Sequence, residues 1–368
     1  MNTFLREARK LVSSKLSERF CIIIGNESCD LDSAVCSLSL AYYYNRNKNK
    51  IPNSPKVAHV VPLFNIKREE LPIKTEVIYF LRKNNIEFDS ITFQDDINES
   101  FITNNDVVLV DHHFSRYSPI AVFDHRPFDP NSTIPKECKM ELELVGSCAT
   151  LIANIILSDE NYADYKDILR LLHAAIVLDT VNFSKEAQRA KEKDFNVCER
   201  IESLLGLSNV DNYRKTLFDE LVEARADVSS FDSYQILLKD MKLISSKKNE
   251  SIKVALPGFP KLVKDYIALE NAEENIKKFA KAHQCQVIVL IGMKVTDDGL
   301  KRDVGVINMG NDTLFDAIVS NLKSSNHSFD LEEYIDCKFL EGKYFNQKNI
   351  RASRKQILPL VKTILDEF

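Results

Sequence analysis

Apolar residues in the first half of the chain come in two alternating textures. One is the short unbroken run, such as CIII at residues 21–24 or VVLV at 107–110, bounded by polar residues. A run of that kind suits a strand buried on both faces. The other is a longer stretch in which apolar positions return every three or four residues, the spacing of one helix face. In order, they predict strands over 20–26, 57–64, 107–110 and 120–123, and helices over 33–44, 69–84, 149–157 and 165–177. Asp32 or Ser33 is placed to cap the first helix. Pro72 falls in the first turn of the second, where a missing N–H is tolerated. Strand–helix alternation implies a mostly parallel sheet with helices on both faces, an α/β fold.

The texture changes after Phe183. Residues 184–230 are densely charged, with the apolar spacing of solvated helices, and hold the expected boundary. From about Phe231 a second, smaller α/β unit follows, with strands predicted over 252–256, 285–292 and 303–309 and helices over 270–282, 314–322 and 352–367. No internal repeat, low-complexity tract or Gly/Ser linker interrupts the pattern. At 368 residues the chain is long enough for two domains, each with its own core.

Composition narrows the classes. The chain is 44% hydrophobic and 28% charged, an ordinary globular balance. Its formal net charge of −5 argues against nucleic acid or an anionic membrane as a broad electrostatic partner. Eight scattered cysteines without a CxxC pair fit reduced thiols and a cytosolic location. The amphipathic, charged N-terminus has no long apolar core, so neither a signal peptide nor a membrane span is expected.

The chemical signal is recurrence. Asp30 and Asp32 follow the first predicted strand within GNESCDLDS, residues 25–33. Asp111 ends VVLVD and is followed by His112 and His113. Asp124 ends AVFD and is followed by His125 and Arg126. Asp179 follows the apolar run AAIVL. Any one of these reads as a turn or cap residue. Together they deliver carboxylates, often beside histidine, to element ends that a parallel sheet gathers on one edge. That set suits divalent metal and phosphate chemistry, with mixed Asp/His ligands fitting Mn²⁺ or Co²⁺ and oxygen-rich ligands fitting Mg²⁺. His59, His173, His283 and His327 lack such partners and are read as hydrogen-bonded structural residues.

These segments, with PLFNIKREELP (62–72), FDHRPFDP, LELVGSCATLI (142–152) and IVLDTVNF, resemble the prune proteins of the DHH phosphoesterase superfamily. Nearer relatives are yeast-type cytosolic exopolyphosphatases; family II inorganic pyrophosphatases are more distant. The resemblance is dense over about residues 20–185, thins through the charged middle and returns in KDMK (239–242) and SRKQILP (353–359). It implies a DHH domain over 1–205, a linker region over 206–230 and a DHH-associated domain over 231–368, with the active site in the cleft between the domains. It implies metal ligation by Asp30, Asp32, Asp111, His125 and Asp179, with Asp111 bridging two ions, Mg²⁺ or Mn²⁺. Asp111, His112 and His113 are the implied catalytic residues, the histidines as proton donors or supports near the site. Arg126, Lys242, Arg354 and Lys355 are the implied phosphate grip. The long tail of vertebrate prune proteins is not expected after Phe368.

Two departures stand out. Asn26 occupies the position of a metal-ligating histidine in the pyrophosphatases, and is expected to act as a weaker, oxygen-only ligand that shifts preference toward Mg²⁺. Arg126 stands where those enzymes have a second histidine. It is a permanent bidentate cation, suited to phosphate and unable to act as a general acid. The implied activity is hydrolysis of short-chain polyphosphates or similar oligophosphates by two-metal activation of water. The alternatives are cyclic nucleotide phosphodiesterase activity, and a regulatory protein with weak catalysis acting through a partner such as nucleoside diphosphate kinase.

Overall fold

The computed structural model describes residues 1–14, 18–54, 56–296, 298–324 and 329–368. Of the sequence expectations, His327 lies outside the described residues. The chain divides into two compact units, residues 1–225 and 226–368.

In the first unit the elements run α1 (Asn2–Ser13), β1 (Phe20–Ile24), α2 (Leu31–Arg46), β2 (His59–Phe64), α3 (Thr75–Lys83), β3 (Thr92–Phe93), α4 (Glu99–Thr103), β4 (Asp106–Val110), β5 (Pro119–Asp124), β6 (Lys139–Leu142), α5 (Cys148–Leu157), α6 (Lys166–Asp179), α7 (Glu192–Leu205) and α8 (Val210–Ala226). The six strands form one sheet in the order β3-β2-β1-β4-β5-β6. Every neighbouring pair is parallel. All five residues of β1 and of β4 are buried, as covering both faces of a sheet requires. The order reverses between β1 and β4, so the chain leaves these neighbouring strands in opposite directions. In open α/β sheets such a switch point, at the carboxyl ends of the strands, is where ligands bind.

The second unit contains α9 (Ser233–Leu238), β7 (Met241–Ser245), β8 (Lys253–Phe259), α10 (Val263–Tyr266), α11 (Ala272–His283), β9 (Val287–Thr296), β10 (Gly299–Asn308), α12 (Asp312–Lys323), β11 (Leu331–Glu333), β12 (Gly342–Gln347) and α13 (Arg354–Leu365). Its sheet, in the order β11-β12-β10-β9-β8-β7, is mixed: β8 and β9 are parallel and the other pairs antiparallel. One core lies under α12 and α13 and another under α9 and α11.

Three local expectations change. Asp30, rather than Asp32 or Ser33, caps α2, its side chain accepting from the Ser33 N–H at 3.1 Å. The helix expected over 69–84 is broken. A 3-10 turn spans Arg68–Ile73, with Pro72 inside it and unable to donate, and α3 begins after Lys74 leaves helical backbone space. The expected linker at 206–230 contains α8, whose Leu217 and Leu221 are buried in the first unit's core. Their apolar spacing is masked by the intervening charges. Among the described residues, no helix is long and apolar enough to cross a membrane.

Candidate metal centre

The loop after β1 makes a tight turn into α2. Gly25 packs so closely that a Cβ there would sit 2.2 Å from Ser33 Oγ. That hydroxyl in turn accepts from the Asn26 N–H at 2.8 Å. Asp30 and Asp32 are therefore delivered by a loop folded back on the first turn of the helix they precede. Asp32 reaches the start of α5, accepting from the Cys148 N–H at 2.7 Å and the Ala149 N–H at 2.8 Å. These amides of a helix N-terminus orient the carboxylate.

Asp111 follows β4 and adopts φ +60°, a left-handed conformation that aspartate tolerates better than most residues. His125 follows β5. Its Nδ1 donates to the Val145 carbonyl at 3.1 Å, and its Nε2 faces Asp111 Oδ1 at 3.3 Å and Asp32 Oδ2 at 3.9 Å. The backbone contact sets the ring's orientation and tautomer, as for histidines that bind metals. Ligand atoms of Asp32, Asp111 and His125 all lie within 4.8 Å of one another. They fit a divalent ion. With Asp30, Asp179, Arg126, Val145, Gly146 and Arg189 they line a pocket of about 330 Å³.

The electrostatics point the same way. Burial, and then the neighbouring Asp32 carboxylate, push Asp111 up to about 7. Burial and the same neighbour also raise Asp30, and hold Asp179 well above the usual carboxylate range. Burial opposes charge on His125, but its hydrogen bond to Asp111 and the Asp32 charge carry it up to about 9. The cluster carries more negative charge than its surroundings balance, a deficit that a bound cation would fill.

Other expected site residues sit differently. Asn26 turns its nitrogen, not its oxygen, to Asp111: Nδ2 donates to Oδ2 at 2.7 Å. Arg126 is folded back onto protein carboxylates, donating to Asp111 Oδ1 at 2.8 Å and Asp124 Oδ1 at 2.9 Å. His113 is buried, with Nδ1 against Asp124 Oδ2 at 2.5 Å and Nε2 accepting from the Asp129 N–H at 2.8 Å. Both ring nitrogens are committed, so it braces Asp124 and has no free atom for proton transfer. His112 Nδ1 donates to the Val110 carbonyl at 3.0 Å. Neither histidine is among the pocket's lining residues.

In the second unit, Arg354 Nη2 donates to both carboxylate oxygens of Asp240 at 2.7 Å, while Lys242 on β7 and Lys355 in α13 are exposed. His59 pairs with Glu18, His173 with Glu202, and the His283 ring lies against Phe279.

Two positions escaped sequence reasoning. Arg189 brings a cation to the pocket from a charged stretch with no motif. Asp194, fully buried at the start of α7, accepts from the N–H groups of Gly146 and Lys191 and from Thr150 Oγ1. Its place three residues after Lys191, whose N–H it accepts from, marks the start of α7 without any side-chain cap in the sequence to announce it.

Bovine exopolyphosphatase PRUNE1 is 31% identical to the chain, over 100% of it and 80% of the bovine protein. The chain belongs to the prune family. Human exopolyphosphatase PRUNE1 is 34% identical over 73% of this chain, a match covering 58% of the human protein. A family model, the DHHA2 domain, matches residues 219–364, nearly the whole second unit. A Methanococcus jannaschii structure described as a family II inorganic pyrophosphatase superposes with a TM-score of 0.52 at 20% identity, covering 94% of this chain and 99% of that one. It shares the fold. The mammalian PRUNE1 relatives are named exopolyphosphatases, and the carboxylate–histidine cluster of this chain lies at the switch point of its parallel sheet, where open α/β folds bind ligands.

Proposed function

We propose that this chain is a metal-dependent phosphohydrolase acting on short-chain inorganic polyphosphates or similar oligophosphates. One observation carries the reading: His125, with Nδ1 committed to Val145, turns Nε2 toward Asp111 and Asp32 at the switch point of a parallel sheet. Asp32, Asp111 and His125 would hold the ion, with Asp30 and Asp179 beside them. An ion bound there would supply Lewis acidity and a nucleophile from water at neutral pH. The protein's own groups do the rest. Asp32 is held rigid by the α5 amides, and Asp111 by its donors. Arg189 presents a cation at the pocket wall to non-reacting phosphate. Lys242, Arg354 and Lys355 would bind phosphate, with Arg354 exchanging Asp240 for substrate. Residues 1–225 would serve as the DHH domain.

The pocket favours phosphate over a cyclic nucleotide. Its lining is Asp, His, Arg and Gly with a single Val, and among the described residues that line it none is aromatic and able to stack a base. Eight free cysteines suit a reducing compartment such as the cytosol.

The test is a substrate panel of tripolyphosphate, tetraphosphate, pyrophosphate and cyclic AMP, with Mg²⁺ or Mn²⁺ and after chelation. Metal-dependent release of phosphate from the oligophosphates, lost in Asp179→Ala, is expected. Preferential turnover of cyclic AMP would replace the proposed substrate class. Hydrolysis that survives chelation and Asp179→Ala would remove the mechanism.

A further inference from the structure

Helix α6 ends on Asp179, and the three residues that follow Thr180 are all left-handed: φ is +54° at Val181, +50° at Asn182 and +57° at Phe183. The first two close the helix. The Asn182 N–H donates to the Val177 carbonyl at 2.8 Å, and the Val181 N–H to the Leu178 carbonyl at 3.2 Å. This is a common way to end a helix, but glycine is the usual residue where Val181 stands, because it has no Cβ to crowd the backbone. A β-branched side chain is poorly tolerated there, and two further non-glycine residues repeat the cost. Backbone of this kind persists where its surroundings over-determine it, and it clusters at functional sites.

The Phe183 ring supplies the restraint. The Arg214 guanidinium lies over it, 4.6 Å from its centroid, and the Phe195 ring centroid is 4.5 Å away. Arg214 is itself fixed by Glu202, which accepts from its Nε at 2.5 Å and its Nη2 at 2.7 Å. The Phe183 N–H donates to Thr180 Oγ1 at 3.3 Å. Thr180 in turn packs so closely on Gly146 that a Cβ there would lie 2.6 Å from Thr180 Cγ2. The turn decides where its neighbours go. Asp179, Gly146 and Arg189 all line the pocket. Asp179 is the last residue of α6, so its aim depends on where and how that helix stops. Arg189 comes back to donate from Nη1 to the Asp179 carbonyl at 3.5 Å, which requires the chain to reverse between them.

We infer that Phe183 is a positioning residue for the proposed reaction: gripped by Arg214 and Phe195, it holds the left-handed turn that sets Asp179 and Arg189 at the pocket. The inference rests on the metal-dependent hydrolase reading. Phe183 does not line the pocket and acts through the two residues that do.

The experiment compares Phe183→Leu with a Val181→Gly, Phe183→Leu double variant. Leucine keeps apolar bulk and removes the ring face on which the guanidinium rests. Mn²⁺ affinity is read by titration calorimetry on metal-free protein, and KM and kcat for tripolyphosphate at saturating Mn²⁺. Phe183→Leu is expected to bind Mn²⁺ about 10-fold more weakly, the scale for groups that orient a ligand. It is also expected to raise KM through the displaced Arg189. Glycine at 181 accepts left-handed backbone without a clamp, so the double variant should regain most of both. Loss of core packing would not be reversed in that way. A folded Phe183→Leu with wild-type affinity and KM overturns the inference, and so does a loss that glycine leaves in place. If Phe183→Leu does not fold, Phe195→Ala, at a ring 38% exposed, opens the same clamp and is read alone and with Val181→Gly by the same criteria. A wild type that neither binds Mn²⁺ nor hydrolyses tripolyphosphate would remove the hydrolase reading as well. A wild type that does both, beside indifferent variants, overturns the inference alone.

Discussion

Asp194 accepts a hydrogen bond from the backbone N–H of Gly146 at 2.8 Å, and so pins the loop whose preceding carbonyl, that of Val145, orients His125. Asp194→Ala would strip this partner from several buried donors at once. A loss of about 2–3 kcal/mol is expected. Through His125 the same change should weaken divalent metal binding by about 10-fold, the usual scale for groups that orient a ligand. Chemical denaturation and metal titration calorimetry read the two effects. Unchanged metal affinity in a folded variant would confine Asp194 to a structural role.

Asp32 works at both ends. Both its oxygens are engaged by the first amides of α5, and Oδ2 lies 3.9 Å from His125 Nε2 at the metal position. Asn has one acceptor oxygen, so Asp32→Asn leaves an α5 amide facing an NH₂ group while removing a ligand charge. The variant is expected to lose about 1–3 kcal/mol of stability. Metal binding should fall below detection in the same titration, and retained binding would take Asp32 out of the ligand set.

The turn at Gly25 admits no side chain without movement. In Gly25→Ala the new methyl would press on Ser33 Oγ and meet the Ser33 carbonyl at 3.1 Å. The Asn26 N–H would lose its acceptor. About 1–3 kcal/mol of destabilisation is expected, as for other forced overpacking, together with weaker metal binding because Asp30 and Asp32 ride on this loop. Thermal unfolding with and without Mn²⁺ would show it as a smaller metal-induced rise in Tm than the wild type's.

A buried ion pair among α6, α7 and α8 sets an acid limit. Burial pushes the Glu202 carboxyl up, but hydrogen bonds from His173 at 2.6 Å and from Arg214 Nη2 at 2.7 Å outweigh it and hold Glu202 below the usual range. Because the folded value is depressed, its stabilisation is complete above the unfolded value of about 4.3. It is lost as pH falls through the folded value. Glu202→Gln should cost about 3 kcal/mol near neutral pH, since Arg214 is left with an unpaired charge. It should also flatten the decline in stability below pH about 4, as followed by circular dichroism during denaturation. An unaltered acid slope would mean that other carboxylates set it.

Much of the first unit was legible because each cue was local. Unbroken runs at β1, β4 and β5 mark strands covered on both faces, and aspartate at their carboxyl ends marks the edge where a parallel sheet collects loops. The directions in which Asn26 and Arg126 point were not legible. Asn26 is turned by the amides of Ser28 and Cys29, and Arg126 by Asp124, contacts that exist only once the loops after β1 and β5 are folded side by side. Asp194 was hidden for a related reason: its partners come from the segment before α5, some 48 residues away in the chain. The break at Lys74 and the buried face of α8 show the remaining limit. One proline and a dense run of charges can each disguise where a helix stops and which side of it packs.

The sheet order β3-β2-β1-β4-β5-β6 has a practical corollary at its opposite margin. Asp30, Asp32, Asp111, His125 and Arg126 all leave from the carboxyl ends of β1, β4 and β5, whereas the turn from α4 into β4, residues 104–105, carries none of them. A peptide tag or fluorophore grafted onto that turn should tax folding alone. That margin of the sheet is the natural handle for tethering or imaging the chain while the chemistry proceeds undisturbed at the other.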